Sequence, residues 1–147
     1  MSKKRKSIVL IFLLFIVIYI SGFYYNKLNA CKILESPHFA VAIPLEINKI
    51  KGMKNAKCKL FYNNKIEIIE STYFDKEPMI GNRYFVIFNK SDLNYFILFS
   101  ECPVPDSINN LEKGWSKLPI LGYQNTIDNY FNEKTNKGIN QLLPSCK

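Results

Sequence analysis

From Ile8 to Tyr25 the chain runs for 18 residues without a charged side chain, and no small soluble core absorbs such a run on every face. At about 1.5 Å per residue a helix of this length reaches about 27 Å, close to the roughly 30 Å hydrocarbon core of a bilayer. The rival reading is a cleavable signal peptide, since Ile8–Ile20 alone matches the usual h-region of about 7–15 residues. Ser21 and Gly22 are the nearest small residues, but Phe23-Tyr24-Tyr25 follows them, which extends the apolar run and suits an interfacial aromatic belt better than a mature N-terminus. An uncleaved signal-anchor is therefore expected. Leu28-Asn29-Ala30-Cys31 resembles both a signal-peptidase site ending in Ala30 and a lipobox preceding a lipidated Cys31. Against both stand Asn29, a poor lipobox residue, and the distance of the site from Ile20. Lys3, Lys4, Arg5 and Lys6 precede the run and Lys27 follows it, which places the N-terminus in the cytoplasm by the positive-inside bias.

These features divide the chain into a basic cytoplasmic tail (residues 1–7), a transmembrane anchor (8–25) and an extracytoplasmic domain (26–147). Isoleucine, lysine and asparagine dominate while arginine occurs twice, a bias typical of AT-rich bacterial genomes. The expected location is thus the bacterial inner membrane, single-pass, with the C-terminal domain periplasmic; the alternative is release into the periplasm after cleavage near Ala30.

The formal charge of +8 points first to nucleic acid. Five of the 20 basic residues flank the anchor, however, and from Cys31 onward 15 basic residues face 12 acidic ones. A nucleic-acid binder carries its charge as a stripe on a folded face, so that class is set aside. Cys31, Cys58, Cys102 and Cys146 all follow the anchor, at spacings of 27, 44 and 44. That distribution matches an oxidising compartment, and with no close Cys pair and a single histidine it does not match a metal site. Two disulfides are expected, with sequential pairing (Cys31 to Cys58, Cys102 to Cys146) favoured among the three possible connectivities.

Phe39–Ile47 is an apolar run interrupted by Pro44, which reads as an edge or bulged strand. Lys57–Tyr62 and Lys65–Glu70 flank Asn63-Asn64, a pair suited to a type I′ turn, and predict a β-hairpin with Cys58, Leu60 and Tyr62 on one face. Arg83–Asn89 and Tyr95–Ser100 predict a second hairpin around the longer loop Lys90–Asn94; both strands are apolar on both faces, as at a sheet centre. Asp106 or Ser107 can cap a short helix carrying Ile108 and Leu111 that closes at Gly114. A second helix, capped by Asn125 or Thr126, carries Ile127, Tyr130 and Phe131 at helical spacing and closes at Gly138. The expected fold class is α+β: a small antiparallel β-rich domain of about five strands, with one or two C-terminal helices, preceded by a single transmembrane helix. An all-β sandwich is the alternative.

Chemistry-bearing motifs are few. His38 lacks a neighbouring nucleophile motif. Glu67 and Glu70 are three apart on one strand and so point to opposite faces. Glu101, Asp106 and Glu112 sit at strand-end, loop and helix positions where a solvated role is the default. No phosphate loop, nucleophile elbow or calcium loop is present, and no cofactor or metal is expected. The informative polar feature is Lys49, Lys51, Lys54, Lys57 and Lys59, five cations in eleven residues with no acid among them. Such a cluster attracts an acidic partner protein, anionic headgroups or cell-wall polymer; a solvated lysine-rich loop is the bland reading. Trp115, the single tryptophan, is either an exposed binding residue or folded back on the core.

The function expected from this inventory is non-enzymatic: a membrane-anchored binding protein engaging a protein partner in the bacterial envelope, either of inhibitor or immunity type or as an accessory subunit. The alternatives are an envelope hydrolase and a cell-wall or ligand sensor. A sensor would show a concave pocket lined by the aromatic residues of the second hairpin; a flat apolar patch ringed by lysines would favour protein binding.

Overall fold

The computed structural model describes residues 3–50, 53–109, 111 and 113–146. The first element is α1 (Lys3–Glu35), an uninterrupted helix whose Ser7–Glu35 portion is long and apolar enough to cross a membrane. Its character changes along its length. Ile8–Ile20 is exposed on every side, whereas Lys27, Ala30 and Ile33, three residues apart, are buried. The helix thus continues ten residues beyond Tyr25 and acquires an inward face there.

Five strands follow: β1 (Pro37–Ile50), β2 (Met53–Tyr62), β3 (Lys65–Phe74), β4 (Tyr84–Asn89) and β5 (Asp92–Pro103). They close into a small barrel in the order β1-β2-β3-β5-β4, so the α+β class holds. Asn63 and Asn64 turn the first hairpin at φ 53° and 58°, the left-handed pair that a type I′ turn requires. The second hairpin is tighter than its sequence suggests, with Asn89 opposite Asp92, and the surplus residues are absorbed as a bulge in β5. The expectation of a purely antiparallel sheet needs one correction, because β3 and β5 run parallel over Thr72–Phe74 and Ile97–Phe99. After β3 the chain crosses to β4 before returning as β5, and β5 is the strand that lands beside β3.

Pro44 sits at a register shift in β1, just past Ala42, the last residue paired with β4. Of the two positions expected, the bulge is found and the edge is not, since β1 has β2 on one side and β4 on the other. Proline is tolerated because it falls where β1 leaves β4 and needs no ladder donor.

Inside the barrel, Ala40, Ala42 and Ala56 leave room for Phe88, Phe96 and Leu98, the pairing of small with large residues by which a narrow barrel is filled. The opposite faces of β4 and β5 are buried as well. Phe85 packs edge-on against Trp115 and Tyr123, and Phe99 against Tyr130.

Asp106–Ser107 forms a turn, and the described residues from there to Trp115 are irregular, in place of the short helix expected. The segment is instead held by Trp115, whose N–H donates to the Phe39 carbonyl and whose carbonyl accepts from Phe39 N–H, both at 2.7 Å. The later helix forms as α2 (Gln124–Asn136), buries Ile127, Tyr130 and Phe131, and ends before Gly138 at φ 59°. Its start lies ahead of the expected caps, since a 3-10 turn over Leu121–Tyr123 leads into it.

Contacts divide the chain into two compact units, Met1–Cys31 with Phe131–Lys147, and Lys32–Tyr130. Within the first, Cys31 is bonded to Cys146 with Cα atoms 5.3 Å apart, closing a sequence separation of 115. A loop of that length contributes roughly 4–5 kcal/mol in the chain-entropy account. Sequential pairing is therefore overturned, and Cys58 and Cys102 are buried free thiols. Cys58 shares the barrel interior with Ala56 and Leu60, while the Cys102 sulfur meets the Thr126 side chain on α2, so the sheet wall lies between them. Burial pushes the Cys58 thiol up to about 12. Burial, aided by Glu101, pushes that of Cys102 up to about 11. Both are kept in the unreactive thiol form.

Lys27, the first basic residue after the anchor, is not a solvated flanking charge. It is 4% exposed, and its Nζ donates to the carbonyls of Asn140 at 2.6 Å and Leu143 at 3.3 Å. These carbonyls lie at the C-terminal end of the 3-10 turn Gly138–Leu142, where the Asn140 carbonyl also accepts the Leu143 N–H at 3.4 Å and a carbonyl's second lone pair can accept a cation's proton.

Candidate functional site

The lysine cluster is built on the β1–β2 hairpin, and strand alternation divides it. Lys49 and Lys54 lie opposite each other on one face. Lys49 pairs with Glu77, whose carboxylate holds the ammonium above its usual value. Lys54 Nζ donates to the Asp75 carbonyl at 2.9 Å. Lys57 and Lys59, odd-numbered on β2, occupy the other face. Lys57 stands in register between Glu46 on β1 and Glu70 on β3, and Lys59 lies 5.5 Å from the centre of the Phe61 ring. Lys51 lies outside the described residues. The described cations therefore form two pairs facing apart, each with its own carboxylate, carbonyl or aromatic neighbours.

Trp115 is half-buried, edge-on to Phe85 with ring centres 5.9 Å apart. Gly114 before it has φ +65°, and a Cβ there would lie 2.8 Å from the Phe39 carbonyl. Glycine is what lets this segment approach β1 so closely.

His38 stacks edge-on against Tyr62 and Phe88, at 5.3 and 5.8 Å. Burial holds its imidazole below the usual histidine value and the charge of Lys90 lowers it further. Glu67 and Glu70 fall on opposite faces of β3, opposite Leu60 and Lys57. Glu101 pairs with Lys76 at 3.3 Å and Asp106 with Arg83 at 2.5 Å; Glu112 is outside the described residues. Among the described residues no three His, Cys, Asp or Glu converge as a metal-binding group.

One surface was missed by the sequence reading. On the outer face of the β2–β3 hairpin, Phe61 lies opposite Ile66 and Lys59 opposite Ile68, with Lys57 opposite Glu70 beyond them. Ile66 and Ile68 are 56% and 55% exposed, an unusual display for β-branched aliphatic side chains on a strand. The signal was present in Lys65-Ile66-Glu67-Ile68-Ile69. Ile69 turns inward beside Cys58, so the isoleucines of opposite parity must turn outward. A comparison with protein-family models, curated proteins and solved structures found no match.

Proposed function

We propose that this chain is a membrane-anchored, extracytoplasmic, non-enzymatic binding protein that engages a protein partner in the bacterial envelope. The observation that carries the reading is the outer face of β2–β3: Phe61, Ile66 and Ile68 form an apolar strip with Lys57 and Lys59 alongside. A solvated apolar strip bordered by cations is the surface expected of a protein contact site. The aromatic residues of the second hairpin, which would line a sensor's pocket, are consumed by packing: Phe85, Phe88 and Phe99 are fully buried.

Topology is supported from two sides. The basic tail favours the cytoplasm for the N-terminus. Cys31 lies six residues past Tyr25, about 9 Å along the same helix, and is oxidised, which suits the far side of the membrane. The Cys31–Cys146 disulfide favours an anchor over lipidation of Cys31, because a sulfur bonded to Cys146 cannot also carry a thioether.

The test uses the full-length chain expressed in a bacterium. It should stay in the membrane fraction after alkaline carbonate extraction, lose its C-terminal domain to protease added to spheroplasts, and capture an envelope protein on crosslinking. Replacing Ile66 and Ile68 by Asp should abolish that capture without changing the far-ultraviolet circular dichroism. Capture unaffected by the double substitution would remove this face from the proposal; a soluble chain shortened at Ala30 would overturn the anchor.

A further inference from the structure

The main chain of β3 is open along much of one side. β3 pairs with β2 from Asn55–Thr72 to Tyr62–Lys65, but with β5 only over Thr72–Phe74. Among the described residues no strand pairs with Lys65–Ser71 on the β5 side, and Lys65–Ile68 and Glu70 are exposed. The segment contains no proline, and its pairing with β2 contains no register shift, so the usual devices that twist an edge out of reach are absent. What remains is charge. Lys65 and Glu67 lie on the face of β3 that carries Ile69 inward, and a strand arriving without matching charges would bury both unpaired.

We infer that the edge of β3 pairs antiparallel with the same edge of a second copy of this chain, with Ile66 on the two-fold axis and Lys65 of each copy opposite Glu67 of the other. This rests on the reading of the β2–β3 hairpin as a protein-binding surface and names the partner. The argument is charge complementarity. Faces are preserved across an antiparallel edge only when residues of equal parity meet. Centring the axis on Glu67 sets the two Glu67 carboxylates against each other. Centring it on Ile68 places Glu67 against Ile69 and Glu70 against Ile66, so neither carboxylate finds a cation. Centring it on Ile66 satisfies Lys65 and Glu67 in both copies and brings the two exposed Ile66 side chains together. The ladder is short because Asn63 and Asn64 turn away at positive φ. Anchoring through α1 compensates, since two chains confined to one membrane meet at a high effective concentration.

The test is cysteine crosslinking of the full-length protein in native membranes, where the buried Cys58 and Cys102 provide a silent background. Directly opposed residues have Cα atoms about 4.5–5.5 Å apart, within disulfide range, so Ile66→Cys should yield a disulfide-linked dimer under mild oxidation. Two Ile68 residues would be offset by four positions, about 13 Å along the strand, so Ile68→Cys should not. Adding Lys65→Glu to Ile66→Cys should cut the dimer yield about 10-fold, by opposing like charges twice, and the swap Lys65→Glu with Glu67→Lys should restore it. Dimer from Ile68→Cys in place of Ile66→Cys, or a yield insensitive to Lys65→Glu, would overturn the inference. If neither variant dimerises while Ile66 and Ile68 remain necessary for capturing another envelope protein, self-pairing fails and the protein-binding reading stands; if that capture is absent as well, both fail.

Discussion

β1 and β3 each begin beyond the reach of a neighbouring strand. On β1, pairing with β2 starts at Val41–Phe61, and the main chain of Phe39 on that side would be open. It is taken up by Trp115, through two hydrogen bonds of 2.7 Å. On β3, Lys65–Ser71 lies ahead of the pairing with β5, and Lys65–Ile68 stay exposed, with Lys65 and Glu67 charged. Both ends pose the same physical problem, unpaired N–H and C=O groups in a row. The chain answers the first from within, by sending Gly114-Trp115 back onto β1. It leaves the second flanked by Lys65 and Glu67, the two charges that the proposed self-pairing would match. The difference separates an edge closed within the fold from one left to the pairing proposed for it.

Substitutions on the covered side should act on stability. Phe85→Ala removes the ring beneath Trp115 and Tyr123 and should cost about 3–5 kcal/mol, measured by urea unfolding in detergent with Trp115, the single tryptophan, as the fluorescent probe. A loss under about 1 kcal/mol would mean that Trp115 does not hold its edge through this ring. Gly114→Ala forces a Cβ against the Phe39 carbonyl at φ +65° and should cost about 1–3 kcal/mol. Its tryptophan emission should move to the red as the indole leaves Phe85.

A third effect is set by pH. His38 lies one residue before Phe39, and burial, aided by the charge of Lys90, holds its folded value below that of a free imidazole, about 6.5. The unfolded chain therefore binds the proton first, and stability present above pH 6.5 should decline as pH falls from there toward the folded value. Melting temperature followed from pH 7.5 to 5 should fall less in His38→Phe than in the parent; equal slopes would detach the effect from His38.

The smallest stability change belongs to the open edge. Lys65→Glu should alter unfolding free energy by no more than about 0.5 kcal/mol, because the Lys65 side chain is exposed and is free of ion pairs and hydrogen bonds among the described residues. A larger loss would show that this edge, too, is structural.

Elements with strong local codes were legible. Asn63-Asn64 specified a left-handed turn and thereby the first hairpin, and the alternation of Cys58, Leu60 and Tyr62 specified its inner face. The spacing of Ile127, Tyr130 and Phe131 specified α2 despite a start placed too late. The segment after Asp106 misled because a capping residue, two apolar residues and a glycine satisfy a helix pattern and also a loop whose glycine approaches a strand. Lys49 to Lys59 resembled one patch in linear order, yet a strand sends alternate residues to opposite faces and the hairpin turns the sequence back upon itself. Exposure of Ile66 and Ile68 was harder to read, since isoleucine in a strand ordinarily means core.

Length, apolarity and charge of the N-terminal run follow from composition alone, because hydrophobic thickness is a linear property. Hairpin turns and strand parity are likewise local, set by residues that touch through the backbone. Disulfide pairing, the parallel contact of β3 with β5, the burial of Lys27 on the carbonyls of Asn140 and Leu143, and the choice of which edge to cover depend on residues far apart in sequence. Those were decided by chain closure in three dimensions, where Cys31 meets Cys146 across a separation of 115 and Trp115 reaches Phe39.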